Sequence, residues 1–201
     1  MENKNHWETV YETKTPEQVS WTQEIPKTSL DLIASFGLDR TANIIDIGGG
    51  DSKLVDCLLD MGYENITVLD ISEKALDRAK QRLGNKANRV NWIVSDVTDF
   101  TPNQTYDIWH DRAAFHFLTA TDQIDKYVAL TENYVSGYLA LGTFSDNGPK
   151  KCSGLEISQY DEQTLTSRFD KSFELLRCFT EDHKTPFETT QNFLFCTFKR
   201  K

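Results

Sequence analysis

Residues 42–54, ANIIDIGGGDSKL, constrain the fold more than any other part of the chain. The apolar stretch 43–47 is short and rich in β-branched residues, which favours a buried strand over a helix. Gly48, Gly49 and Gly50 end this strand, and the apolar residues that follow recur at helical spacing. The segment therefore predicts a strand, a tight turn and a helix. Because glycine reaches positive φ and has no Cβ, we expect a small molecule to lie against the turn.

Two protein families share this arrangement. The dinucleotide fingerprint G-x-G-x-x-G requires a third glycine where this chain has Lys53, and it places a pyrophosphate at the helix N-terminus. The D-x-G-x-G-x-G turn of class I S-adenosylmethionine-dependent methyltransferases is similar to Asp46-Ile-Gly48-Gly-Gly50-Asp-Ser52, with Ser52 in the last position. An acid at Asp46 suits a sulfonium and an amino group, and would repel a pyrophosphate. The resemblance implies that the cofactor contacts Asp46, Gly48, Gly49, Gly50 and Ser52.

Length and composition limit the class of protein. A chain of 201 residues suffices for one sizeable core and is short for two domains, so we predict one domain over residues 1–201. The net charge of -9 disfavours binding to long nucleic acid, which depends on clustered Lys and Arg. The start of the chain is charged and no apolar run could span a bilayer, so we expect no membrane partner and a cytoplasmic location. The four cysteines are scattered without metal-ligand spacing, which predicts reduced thiols and no metal site.

Asp46, Asp70 and Asp96 each stand at the end of a predicted strand. In open α/β folds the carboxyl ends of parallel strands meet at the edge where ligands bind, so these acids should lie together. By resemblance to the methyltransferases, Asp70 accepts the ribose hydroxyl groups and Asp96 accepts the adenine amino group. The same resemblance places Ile71 and Val97 against the adenine ring.

An alternative role for Asp70 is to cap the helix predicted over residues 73–83. Ser72 stands directly before that helix and is able to cap it instead.

The fourth predicted strand, residues 106–110, ends in His110 and continues as DRAAFHF. Class I methyltransferases place groups near the transferred methyl at this point, and the N/D-P-P-Y/F motif of amino-directed enzymes is absent. The Asp-Arg pair is similar to thiopurine and other thiol methyltransferases, and also to some small protein lysine methyltransferases. The resemblance implies that Asp111, Arg112 and His116 are catalytic and that His110 contacts the cofactor.

The roles of these polar residues have alternatives. His116 is either a general base or a member of an aromatic cluster that packs or hydrogen-bonds the substrate. Asp111 and His183 are further candidate bases. Arg112 carries a fixed charge, which suits attraction of an anionic substrate or bracing of Asp111.

The N-terminal arm, residues 1–27, is polar but contains Trp7, Tyr11 and Trp21. These aromatic residues either cap the core or close over a bound ligand as a lid. The predicted topology brings the arm to the same sheet edge as segments 112–117, 145–155 and 183–190. The predicted substrate-binding residues are accordingly Trp7, Tyr11, Trp21, Arg112, Phe115, Phe144 and His183. Within the loop 145–155, Cys152 is expected only to pack, because a thiol facing the substrate would compete for the methyl group.

The rest of the chain completes an α/β pattern. Residues 121–135 and 159–169 read as helices, 137–144 as a fifth strand, and 173–180 with 192–199 as a late hairpin. Such a hairpin resembles the class I methyltransferase sheet, with strand order 3-2-1-4-5-7-6 and strand 7 antiparallel. We therefore expect a Rossmann-like, mostly parallel seven-stranded sheet with helices on both faces.

The sequence leaves three functional hypotheses. The first is transfer of a methyl group from S-adenosyl-L-methionine to a small-molecule nucleophile such as a thiol, with S-adenosyl-L-homocysteine as the product. The second is a protein lysine or amine methyltransferase, and the third is a non-catalytic cofactor-binding protein. A narrow cavity supports the first hypothesis, an open acidic trough the second, and a blocked methyl channel the third. A Rossmann dehydrogenase is disfavoured by Lys53 and by the acid at Asp46.

Overall fold

A central sheet with helices on both faces forms the fold, and the computed structural model describes residues 2–201. The strands are, in chain order, β1 (Asn43–Ile47), β2 (Asn65–Asp70), β3 (Val90–Val94), β4 (Tyr106–Arg112), β5 (Val135–Phe144), β6 (Lys151–Cys152), β7 (Leu155–Glu156), β8 (Phe173–Lys184) and β9 (Thr190–Arg200). The helices are α1 (Glu2–Thr13), α2 (Lys27–Ser35), α3 (Leu54–Asp60), α4 (Glu73–Leu83), α5 (Thr121–Tyr134) and α6 (Glu162–Phe169). Among the helices in residues 2–201, none combines the length and apolar character needed to cross a bilayer.

The strand order of the main sheet is β3-β2-β1-β4-β5-β9-β8. Strands β1 to β5 pair in parallel, whereas β9 is antiparallel to both β5 and β8. The two-residue strands β6 and β7 form a separate small hairpin inside the segment that was predicted to be a loop. With this hairpin set aside, β8 and β9 are the sixth and seventh strands of the sheet. The predicted order and the antiparallel seventh strand are confirmed.

Both faces of β1 are buried, which explains its nearly continuous apolar sequence. Ile44 belongs to an apolar cluster with residues of α2, α3 and α4, and its neighbour Ile45 belongs to a cluster with residues of α5 and α6. Successive side chains of a strand point to opposite faces, so one strand joins the two halves of the core. The centre of the sheet is therefore covered by helices on both sides, and its carboxyl edge is left for a ligand.

The cysteines do not all remain free thiols, contrary to the prediction. Cys178 of β8 and Cys196 of β9 stand opposite one another in the antiparallel register and form a disulfide with a Cα to Cα distance of 4.2 Å. Cys57 and Cys152 are free. The paired cysteines are 18 residues apart in sequence, and they meet only because the two strands form a hairpin.

A buried hydrogen-bond chain ties β4 to α5. The Tyr127 hydroxyl donates to Asp111 Oδ2 at 2.8 Å, and Trp109 Nε1 donates to the Tyr127 oxygen at 3.0 Å. Asp111 Oδ1 accepts from the backbone N–H groups of Ala114 at 2.9 Å and Phe115 at 3.1 Å. Burial raises the pKa of Asp111 to about 6, although these hydrogen bonds favour its charged form. The carboxylate thus fixes the turn that follows β4.

Substituting Tyr127→Phe should destabilise the fold, because the buried Asp111 oxygen and the Trp109 N–H both lose their partner. We expect the free energy of unfolding, measured by urea denaturation, to fall by about 1–3 kcal/mol for each unsatisfied group. Tyr134→Phe, on the same helix but partly exposed, is the control and should change this free energy by less than about 0.5 kcal/mol. Equal changes in the free energy of unfolding for the two substitutions would contradict the structural role of this hydrogen-bond chain.

Candidate active site

The glycine turn after β1 lies at the carboxyl edge of the sheet and forms one wall of a cavity of about 270 Å³. Gly48 and Gly50 have φ of 64° and 50°, in the region that favours glycine. A Cβ on Gly49 would lie 2.6 Å from Asp46 Oδ2, and a Cβ on Gly50 would lie 2.6 Å from the Tyr11 hydroxyl oxygen. Both positions therefore require glycine for packing. The cavity is lined by Gly48, Gly49 and Ser52. Gly50, which was predicted to contact the cofactor, lies beneath Tyr11 and does not line the cavity.

Arg82 of α4 holds the second half of this turn, a role that the sequence analysis missed. Its guanidinium donates to the backbone oxygens of Asp51 at 2.7 Å and Ser52 at 2.9 Å, and it pairs with the Asp56 carboxylate at 2.8 Å. Arg82 therefore braces the turn, and it also lines the cavity.

The three strand-end acids, Asp46, Asp70 and Asp96, line the same cavity, as the predicted topology requires. Ile71 and Val97, the residues predicted to contact adenine, line it as well. The parallel pairing of β1, β2 and β3 brings these residues together, although they are far apart in sequence.

Asp70 is buried, and Ser72 rather than Asp70 caps α4: the Ser72 hydroxyl accepts from the Ala75 N–H at 3.2 Å. Asp70 Oδ1 accepts from the Ser72 N–H at 2.8 Å. Burial, together with the nearby Asp51 and Asp46 charges, raises the pKa of Asp70 to about 7. This carboxylate therefore carries an electrostatic cost in the ligand-free protein, which is typical of binding sites.

His110 and Asp46 form a buried pair at the junction of β1 and β4. His110 Nδ1 lies 2.7 Å from Asp46 Oδ1, and His110 Nε2 lies 2.8 Å from the hydroxyl oxygen of Ser29. His110 lines the cavity, but both of its ring nitrogens are engaged by protein groups. Its role is to orient the Asp46 carboxylate toward the cavity.

The N-terminal arm folds back onto the domain, as both of its predicted roles required, and it lies over the cavity. Trp7, Tyr11 and Trp21 line the cavity together with Phe117 of the turn after β4. The Trp7 ring centroid lies 5.6 Å from that of Trp21 and 5.1 Å from that of Phe117, both in edge-on geometry. These four aromatic residues, which we call the aromatic cover, shield the cavity from solvent.

Glu8 and Arg78 dock α1 against α4. The Glu8 carboxylate accepts from the backbone N–H groups of Glu73 at 2.7 Å and Lys74 at 3.3 Å, at the positive end of α4. Arg78 donates to the backbone oxygen of Tyr11 and, at 2.7 Å, to that of Lys14. Carbonyl groups at the end of α1 are thereby satisfied by a cation from α4. Neither residue carries a motif, so the sequence analysis did not identify them.

Arg112, at the end of β4, points a guanidinium into the part of the cavity next to Trp21. Its Nη1 donates to the Trp21 backbone oxygen at 3.1 Å, and the guanidinium lies 4.8 Å from the centre of the Phe193 ring. Cys152 also lines this part of the cavity, contrary to the expectation that it would only pack. Burial raises the pKa of the Cys152 thiol to about 12, so the thiol stays protonated and is a poor competitor for a methyl group.

Several predicted site residues lie outside the cavity, and their predicted roles need correction. Asp111 is turned into the core and is held by Tyr127. His116 is fully buried, and its Nδ1 accepts from the Phe144 N–H at 3.3 Å. His183 donates from Nε2 to the Ser20 backbone oxygen at 2.7 Å, which ties β8 to the arm.

Phe115 and Phe144 are likewise core residues and not substrate contacts. Phe115 packs on Tyr127 with 4.7 Å between ring centroids, and Phe144 packs on Phe193 at 4.8 Å. Phe117 lies two residues further along the 3₁₀ turn and takes the place predicted for Phe115. A sequence cannot distinguish two phenylalanines in one short turn, because the turn's orientation decides which ring faces the cavity. Within residues 2–201, no cluster of three or more His, Cys, Asp or Glu side chains is arranged to hold a metal ion.

Comparisons with known proteins support the resemblance that was inferred from the glycine turn and the strand-end acids. Residues 44–132 match the family model described as a methyltransferase domain. Malonyl-(acyl-carrier protein) O-methyltransferase 1 of Ilyobacter polytropus is 27% identical over 126 residues, which cover 61% of this chain and 46% of that protein. The chain thus spans less than half of the length of that relative.

Solved structures share the fold over nearly the whole chain. A protein from a study of the conversion of a disulfide bond into a thioacetal group during echinomycin biosynthesis has a TM-score of 0.78 at 17% identity, over 98% of this chain and 93% of that one. The N-methyltransferase NodS of Bradyrhizobium japonicum, in complex with S-adenosyl-L-homocysteine, has a TM-score of 0.67 at 16% identity, over 89% of each chain. The matched domain model over residues 44–132 and the shared fold support the resemblance to the class I S-adenosylmethionine-dependent methyltransferase superfamily.

Proposed function

We propose that the cavity binds S-adenosyl-L-methionine and that the protein transfers the methyl group to a small-molecule nucleophile, a thiol or a similar group. The observation that carries the proposal is that the glycine turn and three strand-end carboxylates line one cavity beneath the aromatic cover. Gly49 leaves space beside Asp46 that any Cβ would fill. The residues present thus fit an adenosine that carries a positively charged sulfur and an amino group.

Each part of the cavity has a corresponding task. Asp70 would hold the ribose hydroxyl groups, because a carboxylate can accept two hydrogen bonds at once. Asp96, Ile71 and Val97 would hold the adenine ring between the ends of β2 and β3. Asp46, oriented by His110, would face the amino group and the sulfonium. When bound, the cofactor supplies a methyl group that is already activated by the positive sulfur.

The protein's own contribution is then to align the acceptor and to exclude water. The aromatic cover and the apolar walls form a pocket of low dielectric, where positioning of the two reactants accounts for most of the rate enhancement. Arg112 and Phe117 lie beyond Asp46 in the strand order, on the side of β4, which is where the acceptor would enter.

A small acceptor fits this architecture better than a protein side chain does. The relatives' names include an O-methyltransferase and an N-methyltransferase, so similarity does not select the acceptor atom. Methylation of a protein lysine, the alternative, calls for an open acidic trough, whereas α1 covers this cavity and Arg112 lines it. The cytoplasmic location stays a prediction from the sequence.

Substituting Asp70→Asn should abolish or weaken binding of S-adenosyl-L-homocysteine and at the same time stabilise the ligand-free protein. Loss of a charge-assisted hydrogen bond costs about 1.5–3 kcal/mol, which is roughly tenfold or more in affinity by calorimetry. The folded-state pKa of about 7 exceeds the ordinary value of 3.8, so the wild-type fold should lose stability as pH rises from about 4 to about 7.

The Asn variant should lack this pH dependence and should unfold at higher urea than wild type at pH 7.5. Asp77→Asn, on the exposed side of α4, is the matched control and should change neither affinity nor stability. An unchanged affinity in the Asp70 variant would remove the ribose assignment.

Substituting Glu8→Gln should speed release of S-adenosyl-L-homocysteine, because the variant removes the negative charge that docks α1 on the N-terminus of α4. A charge at this position contributes about 0.3–1 kcal/mol, so we expect roughly two- to fivefold faster dissociation. Stopped-flow fluorescence of Trp7 and Trp21 would measure the rate. Glu12→Gln, also on α1, removes only an exposed ion pair with Lys74 of α4, which contributes little, and should leave the rate nearly unchanged. Equal rates in all three proteins would show that α1 does not limit release.

A further inference from the structure

Arg112 is a cation in the cavity wall that lacks an anionic partner. Among the carboxylates of residues 2–201, none forms a salt bridge with its guanidinium, whose one hydrogen bond goes to the Trp21 backbone oxygen at 3.1 Å. Burial lowers the pKa of Arg112 to about 10, so the side chain is still charged at neutral pH. A guanidinium has five N–H donors, and most of these are available to a ligand.

The nearest negative charges, those of Glu181 and Asp46, favour the charged form of Arg112, but neither forms a salt bridge with it and each carboxylate is bonded to another group. Both oxygens of Glu181 lie 2.7 Å from the Thr28 hydroxyl, and Asp46 pairs with His110. The other titratable groups that act on Arg112 are Cys152, a protonated thiol, and the imidazoles of His116 and His183. A desolvated cation without a partner is costly, and a bound anion would remove this cost.

None of the predicted general bases, Asp111, His116 and His183, lines the cavity, so none is placed to take a proton from the acceptor. His116 Nδ1 already accepts the Phe144 N–H, so its proton sits on Nε2 and no lone pair is free. Burial and the Arg112 charge lower the pKa of His116 to about 3. Both nitrogens of His110 are engaged, and the carboxylates Glu17 and Glu24 are exposed at the rim. The predicted general bases are therefore unsuited to that task.

We propose that the methyl acceptor binds as an anion on Arg112 and attacks without a protein general base, so that its own ionisation makes it reactive. This inference rests on the proposed methyltransferase function. The lone pair of a thiolate or a similar soft anion forms the new bond to the methyl carbon as the carbon–sulfonium bond breaks. The bonding electrons go to sulfur, which leaves as the neutral thioether of S-adenosyl-L-homocysteine, and no proton is transferred.

The proposal also predicts that a protonated amine is a poor acceptor here. A protonated amine would be repelled by Arg112, and it would need a base that the cavity does not provide. A thiolate is attracted by the same guanidinium and needs no base. Arg112 is thus a residue that determines specificity for the charge of the acceptor.

Binding of benzoate and of its neutral isostere benzamide to the protein saturated with S-adenosyl-L-homocysteine tests the anion site by calorimetry. Benzoate should bind the wild type about tenfold more tightly than benzamide, or better. Arg112→Met should reduce this preference to about twofold or less, and Arg112→Lys should retain part of it. Arg177→Met is the matched control, because Arg177 also lies over a phenylalanine ring, 4.4 Å from Phe179, but on the exposed edge strand β8.

Methyl transfer to benzenethiol and to the less acidic phenylmethanethiol, followed with labelled cofactor, tests the absence of a base. The pH midpoint of the rate should be higher for the less acidic thiol, because each rate follows the ionisation of its own acceptor. Benzylamine, which is protonated at pH 8, should be methylated far more slowly than phenylmethanethiol at that pH.

The outcomes separate this inference from the proposed function. Failure of the wild type to bind S-adenosyl-L-homocysteine would overturn the proposed function itself. With that binding intact, equal affinities for benzoate and benzamide, or no benzoate binding, would overturn the anion site. A common pH midpoint for the two thiols would identify a protein base and overturn the second part of the inference.

Discussion

The architecture depends on the burial of charged side chains where parallel strands end. Asp46, Asp70 and Asp111 are buried at this edge of the sheet, and Arg112 is half-buried beside them. Burying an ion costs free energy unless hydrogen bonds or a counter-charge compensate for it. How the protein compensates each charge therefore indicates which charges are left for a ligand to compensate.

Two of the four charges are satisfied from within the protein. Asp111 accepts from the Tyr127 hydroxyl and from two backbone N–H groups, and Asp46 pairs with His110. The other two are compensated less fully. Asp70 has a pKa raised to about 7, and Arg112 makes one hydrogen bond to a carbonyl oxygen. The proposed cofactor and acceptor would each bring the group that the protein lacks: hydroxyls for Asp70 and an anion for Arg112.

Much of the fold and the cofactor half of the cavity could be predicted from the sequence. The strand, glycine turn and helix at residues 42–54 are local, and the acids at the strand ends follow from the regular alternation of strands and helices. The acceptor half was predicted less well. His116 and Phe115 were assigned to it, yet both are buried in the core, and Phe117 and Cys152 line the cavity instead. These residues lie in turns whose orientation depends on contacts with other segments, such as the hydrogen bonds of Asp111.

The sequence by itself determined the order of the elements, the glycine turn and the presence of acids at successive strand ends, because all three depend on local patterns of apolar, small and charged residues. Only the tertiary structure decided which side chains face the cavity, how Glu8 and Arg78 dock the arm, and that Cys178 meets Cys196. It also showed that Arg112 lacks a counter-charge. The counter-charges and hydrogen-bond partners of a buried charge come from distant segments of the chain. Whether that charge is compensated is therefore decided only when the chain folds.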